Sequence, residues 1–156
     1  GIIQGFSGAT NAKDFVLVMN CRFDLDKYYA LCRDLGMQER VKFVPNLDDQ
    51  ELVALYSGCH CFLFPSLYEG FGLPILEAMQ CGAPVITSNV SSCPEVAGDA
   101  ALLINPDHIS EISDAVDQIC CDSNLRFDLI RKGFARAKMF SWERFGQQML
   151  EIYGSA

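Results

Sequence analysis

Clusters of basic residues and long apolar runs are what this sequence lacks. Its 156 residues include 12 Lys and Arg against 20 Asp and Glu, and the basic residues are scattered. A net charge of −8 without a basic stripe argues against nucleic acid and against an anionic membrane surface as partners. No apolar stretch approaches the length of a membrane-spanning helix, so the sequence predicts a soluble protein.

The sequence also lacks the cysteine spacing that is typical of metal sites. Its eight cysteines form no C-x-x-C pair, and they lie in apolar segments such as SGCHCFLF. Such cysteines are typical of a protein core in the reducing cytoplasm rather than of a disulfide framework. We therefore expect no metal site.

Apolar residues make up half of the chain, enough for the core of one domain of this length. Five short apolar runs alternate with helix-like stretches. The runs are DFVLVM at 14–19, RVKFV at 40–44, CFLF at 61–64, PVIT at 84–87 and AALLI at 100–104. This alternation predicts an α/β domain, a Rossmann-like parallel sheet with helices on both faces.

The opening of the chain gives a further expectation. The opening GIIQGFSGATN predicts a short helix that no strand precedes, whereas a doubly wound domain begins with a strand. We therefore expect at least one more strand upstream of Gly1.

Helix starts are predicted at Asp48, with Glu51 completing a capping box, and at Ser141 before an amphipathic final helix.

The stretch EGFGLPILE at 69–77 combines two carboxylates, two glycines and a proline. It follows CFLF and leads into a helix predicted to begin at Pro74, so it lies where open α/β sheets bind ligands. Leu73, before that helix, has no side-chain oxygen that could cap it. We therefore expect the N–H groups of Ile75 and Leu76 to be free to bind a phosphate.

The two carboxylates bracket this anion site. Gly70 and Gly72 permit a ligand to approach the main chain closely, and Glu69 and Glu77 lie on either side. This order suits a nucleotide-sugar, which has hydroxyls at both ends and a pyrophosphate between them. A structural interpretation stays open, with Glu77 as a surface glutamate, Glu69 as a helix cap and the glycines as turn residues.

At these residues the chain resembles a known family. PSLYEGFGLPILEAMQCGAPVITSN resembles the signature of the retaining, GT-B-fold glycosyltransferases of group 1 (family 4), a Glu and a second Glu with seven residues between them. RVKFVPNLDDQELVALYSGCHCFLFPS before it, PEVAGDAALLINP after it and RAKMFSWERFGQQMLEIY at the end are similar to the same family. The resemblance therefore covers most of the chain.

The resemblance implies that residues 1–156 are the C-terminal, nucleotide-sugar-binding domain of a two-domain enzyme. The intact enzyme would transfer a sugar from a UDP-, GDP- or ADP-sugar to a glycan, lipid-linked or small-molecule acceptor, without a metal ion or other cofactor. The acceptor would bind a missing N-terminal domain, so the fragment alone should be inactive. Polysaccharide biosynthesis would place the enzyme in the cytoplasm or, by peripheral association, at the inner face of the membrane.

The resemblance also implies roles for single residues. Glu69 would hold a hydroxyl of the donor sugar and is the catalytic candidate, and Glu77 would bind the ribose. The other implied donor-binding residues are Gly70, Phe71, Gly72 and Leu73 through their main chain, the helix start at Ile75 and Leu76, and Lys42, Phe43 and Val44 beside the base. Ser66 either binds a phosphate or caps a turn.

Two departures from the family leave alternatives open. The Arg and Lys that neutralise the pyrophosphate would lie upstream of Gly1, and the loop after the first strand reads MNCRFD where relatives have a glycine-rich turn. A non-catalytic nucleotide-binding or scaffold domain with the same fold is the main alternative. A dinucleotide oxidoreductase is a weaker one, because G-x-G-x-x-G does not follow the first strand.

Overall fold

The computed structural model describes residues 1–21 and 25–154. In these residues the strands are β1 (Leu17–Met19), β2 (Val41–Phe43), β3 (Phe62–Phe64), β4 (Val85–Ser88) and β5 (Ala101–Ile104). The helices are α1 (Ile2–Gly8), α2 (Leu25–Asp34), α3 (Asp49–Gly58), α4 (Leu73–Gln80), α5 (Cys93–Ala97), α6 (Ile109–Cys121), α7 (Ser123–Ala137) and α8 (Trp142–Gly154). The five predicted strands and the short first helix are confirmed. Part of the loop MNCRFD, residues 22–24, lies outside the described residues.

The strands form two parallel sheets rather than the one sheet that the sequence predicted. β1 pairs with β2, and β3, β4 and β5 pair in that order. The N–H of Leu17 donates to the carbonyl of Arg40 at 2.8 Å, and the N–H of Val44 donates to that of Met19 at 2.9 Å, so β1 uses one edge for β2. Within the described residues the other edge of β1 and the outer edge of β3 are unpaired.

The three-stranded sheet has an apolar core on each face, because successive residues of a strand point to opposite sides. Val85 packs with Ile75 and Met79 of α4 on one face. Ile86 packs into the other core with Ile112 of α6. Both strand residues are fully buried, which confirms the prediction of an α/β fold with helices on both faces.

The two-stranded sheet is more open. Leu17 and Val41 belong to the core that contains Ile86. On the opposite face Lys42 is exposed and Val18 leaves 42% of its surface accessible. This part of the molecule is therefore covered well on one face only.

The predicted helix starts at Asp48 and Ser141 are confirmed. Asp48 Oδ1 accepts from the N–H of Glu51 at 2.8 Å, and Glu51 Oε2 accepts from the N–H of Asp48 at 2.9 Å. Ser141 Oγ accepts from the N–H of Arg144 at 3.1 Å and so caps α8. The residues of α8 are largely exposed, with 78% of Trp142 accessible. Among the described helices, none has the length and apolar character needed to cross a bilayer.

Candidate functional site

The stretch EGFGLPILE joins β3 to α4 at the carboxyl end of the three-stranded sheet, as predicted. Helix α4 begins at Leu73, one residue before the predicted start. Gly72 precedes it with φ 103°, in the left-handed region, and a Cβ there would lie 3.1 Å from Ile75 Cδ1. A glycine is therefore favoured at this turn, whereas a Cβ on Gly70 would meet no atom within 4 Å.

The first turn of α4 has fewer free N–H groups than the sequence predicted. The N–H of Ile75 donates to the carbonyl of Gly72 at 3.0 Å, which closes a tight first turn. The side chains of Ile75 and Leu76 are buried, with 0% and 5% exposed. The expectation of a free amide at Ile75 is therefore wrong, because the turn at Gly72 brings a carbonyl within reach of it.

Glu69 is half-buried, and the protein orients its carboxylate. Ser66 Oγ donates to Glu69 Oε1 at 2.8 Å. The hydroxyl of Ser88, at the end of β4, donates in turn to the carbonyl of Ser66. One oxygen of Glu69 is thus held in place, and carboxylate oxygens have further capacity to accept hydrogen bonds.

Glu77 lies on the exposed side of α4 and has a hydroxyl partner from α3. Tyr56 is buried and packs edge-on against the ring of Phe62, with centroids 5.0 Å apart. Its hydroxyl donates to Glu77 Oε2 at 3.3 Å. Burial and then the negative charge of Glu77 raise the pKa of Tyr56, so the phenol stays protonated and can donate.

No cation neutralises these two carboxylates within the described part of the chain, where the ion pairs involve other residues. An ionised carboxylate is purely an acceptor, with room for several donors on its two oxygens. Glu69 and Glu77 are therefore suited to accept hydrogen bonds from the hydroxyls of a ligand.

Apolar side chains flank the loop. Phe71 is 45% exposed, and its ring lies edge-on to Phe140 with centroids 5.9 Å apart. Leu73 is 48% exposed and Tyr68 is 82% exposed. These three apolar side chains are thus exposed within or directly beside the stretch 69–77.

The predicted base-binding segment, residues 42–44, has its hydrogen-bond and ring partners in β1 and α2. Lys42 is exposed in β2, and the ring of Phe43 packs against Tyr29 with centroids 5.0 Å apart. Val44 bonds through its N–H to Met19. Across residues 1–21 and 25–154, no hydrogen bond or ring contact joins residues 42–44 to residues 66–77.

The sequence interpretation missed the serines of the neighbouring loop. The hydroxyl of Ser91 donates to the carbonyl of Glu69 at 2.7 Å, and the hydroxyl of Ser92 donates to that of Phe71 at 2.8 Å. Their position after β4 was a usable signal, because the carboxyl ends of adjacent parallel strands meet at one edge. Tyr56, inside a helix, gave no comparable signal.

Comparison with known proteins finds a matching family and similar sequences. Residues 16–136 match the family model described as glycosyl transferases group 1. The chain is 44% identical over 113 residues to O-antigen chain mannosyltransferase B of Escherichia coli, a match covering 72% of this chain and 30% of that protein. It is 36% identical over 128 residues to the serotype-specific mannosyltransferase WbdA of Escherichia coli, covering 81% and 16%.

A solved structure shows the same fold. The Anabaena protein HepE in complex with UDP-glucose superposes with a TM-score of 0.86 at 22% identity, covering 99% of this chain and 44% of HepE. The chain thus spans less than half of the length of each of these proteins.

Proposed function

Because this chain belongs to the glycosyl transferases of group 1, we propose that residues 1–156 are the donor-binding half of a retaining glycosyltransferase of family 4. The main support from the structure is the pair Glu69 and Glu77 at the carboxyl end of β3, each oriented by a protein hydroxyl. The UDP-glucose bound to HepE supports a nucleotide-sugar donor. We propose that the sugar is mannose, since both relatives named above are mannosyltransferases.

Each carboxylate has its own role in this proposal. Glu69 accepts a hydrogen bond from a hydroxyl of the donor sugar and is the catalytic residue, and Glu77 binds the ribose diol. The main chain of residues 70–73 meets the sugar and the diphosphate, together with the start of α4 at Leu76. The amide of Ile75 has no role, because it is bonded to Gly72. Residues 42–44 lie beside the base.

The reaction breaks the bond between the anomeric carbon and the diphosphate oxygen, and the electron pair leaves with the diphosphate. The acceptor oxygen bonds to the same carbon on the face that the diphosphate leaves, and its proton passes to the departing diphosphate oxygen. The positive end of the α4 dipole stabilises the departing charge. Neither glutamate attacks the sugar, because a glycosidase-like mechanism needs both carboxylates across one bond.

The remaining parts of the enzyme lie outside residues 1–156 in this proposal. They comprise the acceptor-binding domain and the cations that neutralise the diphosphate in place of a metal ion or other cofactor. The unpaired edges of β1 and β3 support a further strand that completes the sheet. The acceptor is a glycan or lipid-linked glycan, and the enzyme works in the cytoplasm or peripherally at the inner face of the membrane. The chain alone does not transfer sugar.

A scaffold domain that binds nucleotides without transferring sugar is the alternative. The observation that favours it is that residues 43–125 contain no Lys or Arg, so the loops after β3 and β4 supply no cation for a diphosphate. A binding experiment on this chain and an activity assay on the full-length protein distinguish the two functions.

The test is ligand-observed NMR of the chain with GDP, UDP, ADP, CMP and NAD, and with GDP-mannose and UDP-glucose. An incomplete site should bind with a Kd of about 1 mM, near −4 kcal/mol, which the method detects. Glu77→Gln should abolish binding of the nucleoside diphosphate. Glu151→Gln, a matched change on exposed α8, should leave it unchanged.

Two outcomes contradict the proposal. One is that none of these nucleotides binds. The other is that binding is the same with Glu77→Gln as with the unchanged chain. Binding by the chain together with an inactive full-length protein, assayed with mannosyl and glucosyl donors, would favour the scaffold function.

A further inference from the structure

Two serines in the loop between β4 and α5 hold the main chain of the loop that contains Glu69. The hydroxyl of Ser91 donates to the carbonyl of Glu69 at 2.7 Å and accepts from the N–H of the same residue at 3.2 Å. One side chain thus satisfies both main-chain polar groups of Glu69, as a neighbouring strand would do.

Ser92 extends this attachment by two residues. Its hydroxyl lies 2.8 Å from the carbonyl of Phe71 and 3.1 Å from that of Glu69. A hydroxyl has a single hydrogen, so it is shared between the two carbonyls or alternates between them. The bonds of Ser91 and Ser92 therefore span residues 69–71, the first part of the loop before the turn at Gly72.

The backbone of Ser91 is unusual in a way that fits this role. Its φ is 59°, in the left-handed region that non-glycine residues seldom adopt. Such a conformation is unfavourable for a residue with a side chain and persists where surrounding contacts determine it. The two bonds to Glu69 are such contacts, and a glycine would remove the strain but also the hydroxyl.

The serines act on one end of the candidate site only. Glu69 has its main chain held by Ser91 and its Oε1 held by Ser66. Glu77 is oriented from a different element, by Tyr56 of α3. A change at the serines should therefore weaken the binding of a ligand group to Glu69 without weakening the binding of a group to Glu77.

We propose that Ser91 and Ser92 are positioning residues for the sugar-binding end of the site. They fix the main chain of residues 69–71, so that Glu69 meets a hydroxyl of the donor sugar while Glu77 binds the ribose independently. This inference rests on the function proposed above, in which the two glutamates bind opposite ends of the donor.

The test compares two ligands that share a nucleotide, GDP with GDP-mannose, or UDP with UDP-glucose if the uridine nucleotides are the ones that bind. The dissociation constants are measured for the unchanged chain and for Ser91→Ala, Ser92→Ala and the double variant. We expect affinity for the nucleoside diphosphate to change less than about twofold. The extra affinity due to the sugar should fall by about five- to tenfold, as for the loss of one net hydrogen bond.

Two further variants serve as controls. Ser113→Ala removes a hydroxyl that donates from α6 to the carbonyl of Gly5 at 2.8 Å, an equivalent attachment far from the loop, and should change neither affinity. Ser92→Thr keeps the hydroxyl, and the φ of −81° at this position is one that threonine adopts readily. Its sugar-dependent affinity should therefore equal that of the unchanged chain, in contrast to Ser92→Ala. Two-dimensional NMR spectra show whether each variant keeps the fold.

The outcomes distinguish the two proposals. If the sugar-dependent affinity is unchanged in folded serine variants, or if both ligands weaken equally, the positioning role is wrong and the proposed function stands. If the unchanged chain binds none of these ligands, the proposed function fails and the positioning role fails with it.

Discussion

β4 and β1 are both parallel strands, but they differ in how completely the molecule encloses them. All four residues of β4 are buried and both of its edges are paired, whereas β1 is paired on one edge and 42% of Val18 is exposed. The loops that follow β3 and β4 contain the candidate site. The polar groups that define the site are therefore attached to the enclosed sheet.

The location of the site beside the enclosed sheet has a physical reason. A carboxylate can be held in one orientation only if the hydroxyls that bind it are themselves fixed. Thr87 and Ser88, at the end of β4, are both fully buried, and they donate to the carbonyls of Phe64 and Ser66. The two-stranded sheet has no such pair, and its predicted site residue Lys42 lies exposed.

Matched valine truncations in the two sheets should show the largest difference. Val85→Ala, at a residue with 0% exposure, should lower the free energy of unfolding by about 2 to 3 kcal/mol, because it removes buried methyl groups and leaves a cavity. Val18→Ala should cost less than about 1 kcal/mol, since much of that side chain is already in water. Urea denaturation measures both, and equal losses would contradict the comparison.

Alanine substitutions at the two loop glycines should show the next largest effect. Gly72→Ala should cost about 1 to 2 kcal/mol, because alanine at φ 103° is strained and its Cβ crowds Ile75. Gly70→Ala should change stability by less than about 0.5 kcal/mol, since its Cβ would meet open space. Thermal unfolding of the two variants checks this, and a Gly70→Ala loss as large as that of Gly72→Ala would refute it.

Asp117→Asn tests an attachment near the two-stranded sheet. The carboxylate of Asp117, on α6, accepts from the N–H of Asn11 at 2.6 Å and from the N–H and Oγ1 of Thr10 at 3.0 and 2.9 Å. Burial raises the pKa of Asp117, but these hydrogen bonds lower it by more, so its net shift is downward. The substitution should cost about 1 kcal/mol at pH 7.

The sign of the pH dependence follows from this lowered pKa. A carboxylate with a lower pKa in the folded state contributes stability above the pKa of the unfolded chain and loses it as pH falls through the folded value. The difference between the unchanged chain and Asp117→Asn should therefore be present at pH 7 and shrink below about pH 4. Urea denaturation over this range measures it, and a constant difference would exclude ionisation of Asp117 as the cause.

Tyr56→Phe should have only a small effect on stability. It removes a hydroxyl that bonds Glu77 at 3.3 Å but keeps the ring against Phe62, so the loss should be at most about 1 kcal/mol. Under the proposed function it should also weaken nucleoside diphosphate binding, because the ribose-binding carboxylate loses its orientation. Tyr153→Phe, on exposed α8, is the matched control for the NMR titration. Unchanged binding with Tyr56→Phe would contradict the orienting role.

Local patterns predicted the elements well because short-range physics determines them. The apolar runs gave all five strands, and Asp48 with Glu51 gave a correct capping box. The position of EGFGLPILE after β3 followed from the same alternation. The availability of the Ile75 amide could not be predicted, because it depends on where the turn at Gly72 directs a carbonyl.

The sequence by itself determined the α/β class, the order of strands and helices, and the placement of Glu69 and Glu77 around a helix start, because these depend on periodicity, capping and the preferences of glycine and proline. Only the tertiary structure decided that the strands divide into two sheets and that Tyr56, Ser91 and Ser92 contact the site. Those contacts join residues about 20 apart in the chain, such as Glu69 and Ser91, and they form only when separate strands pack side by side.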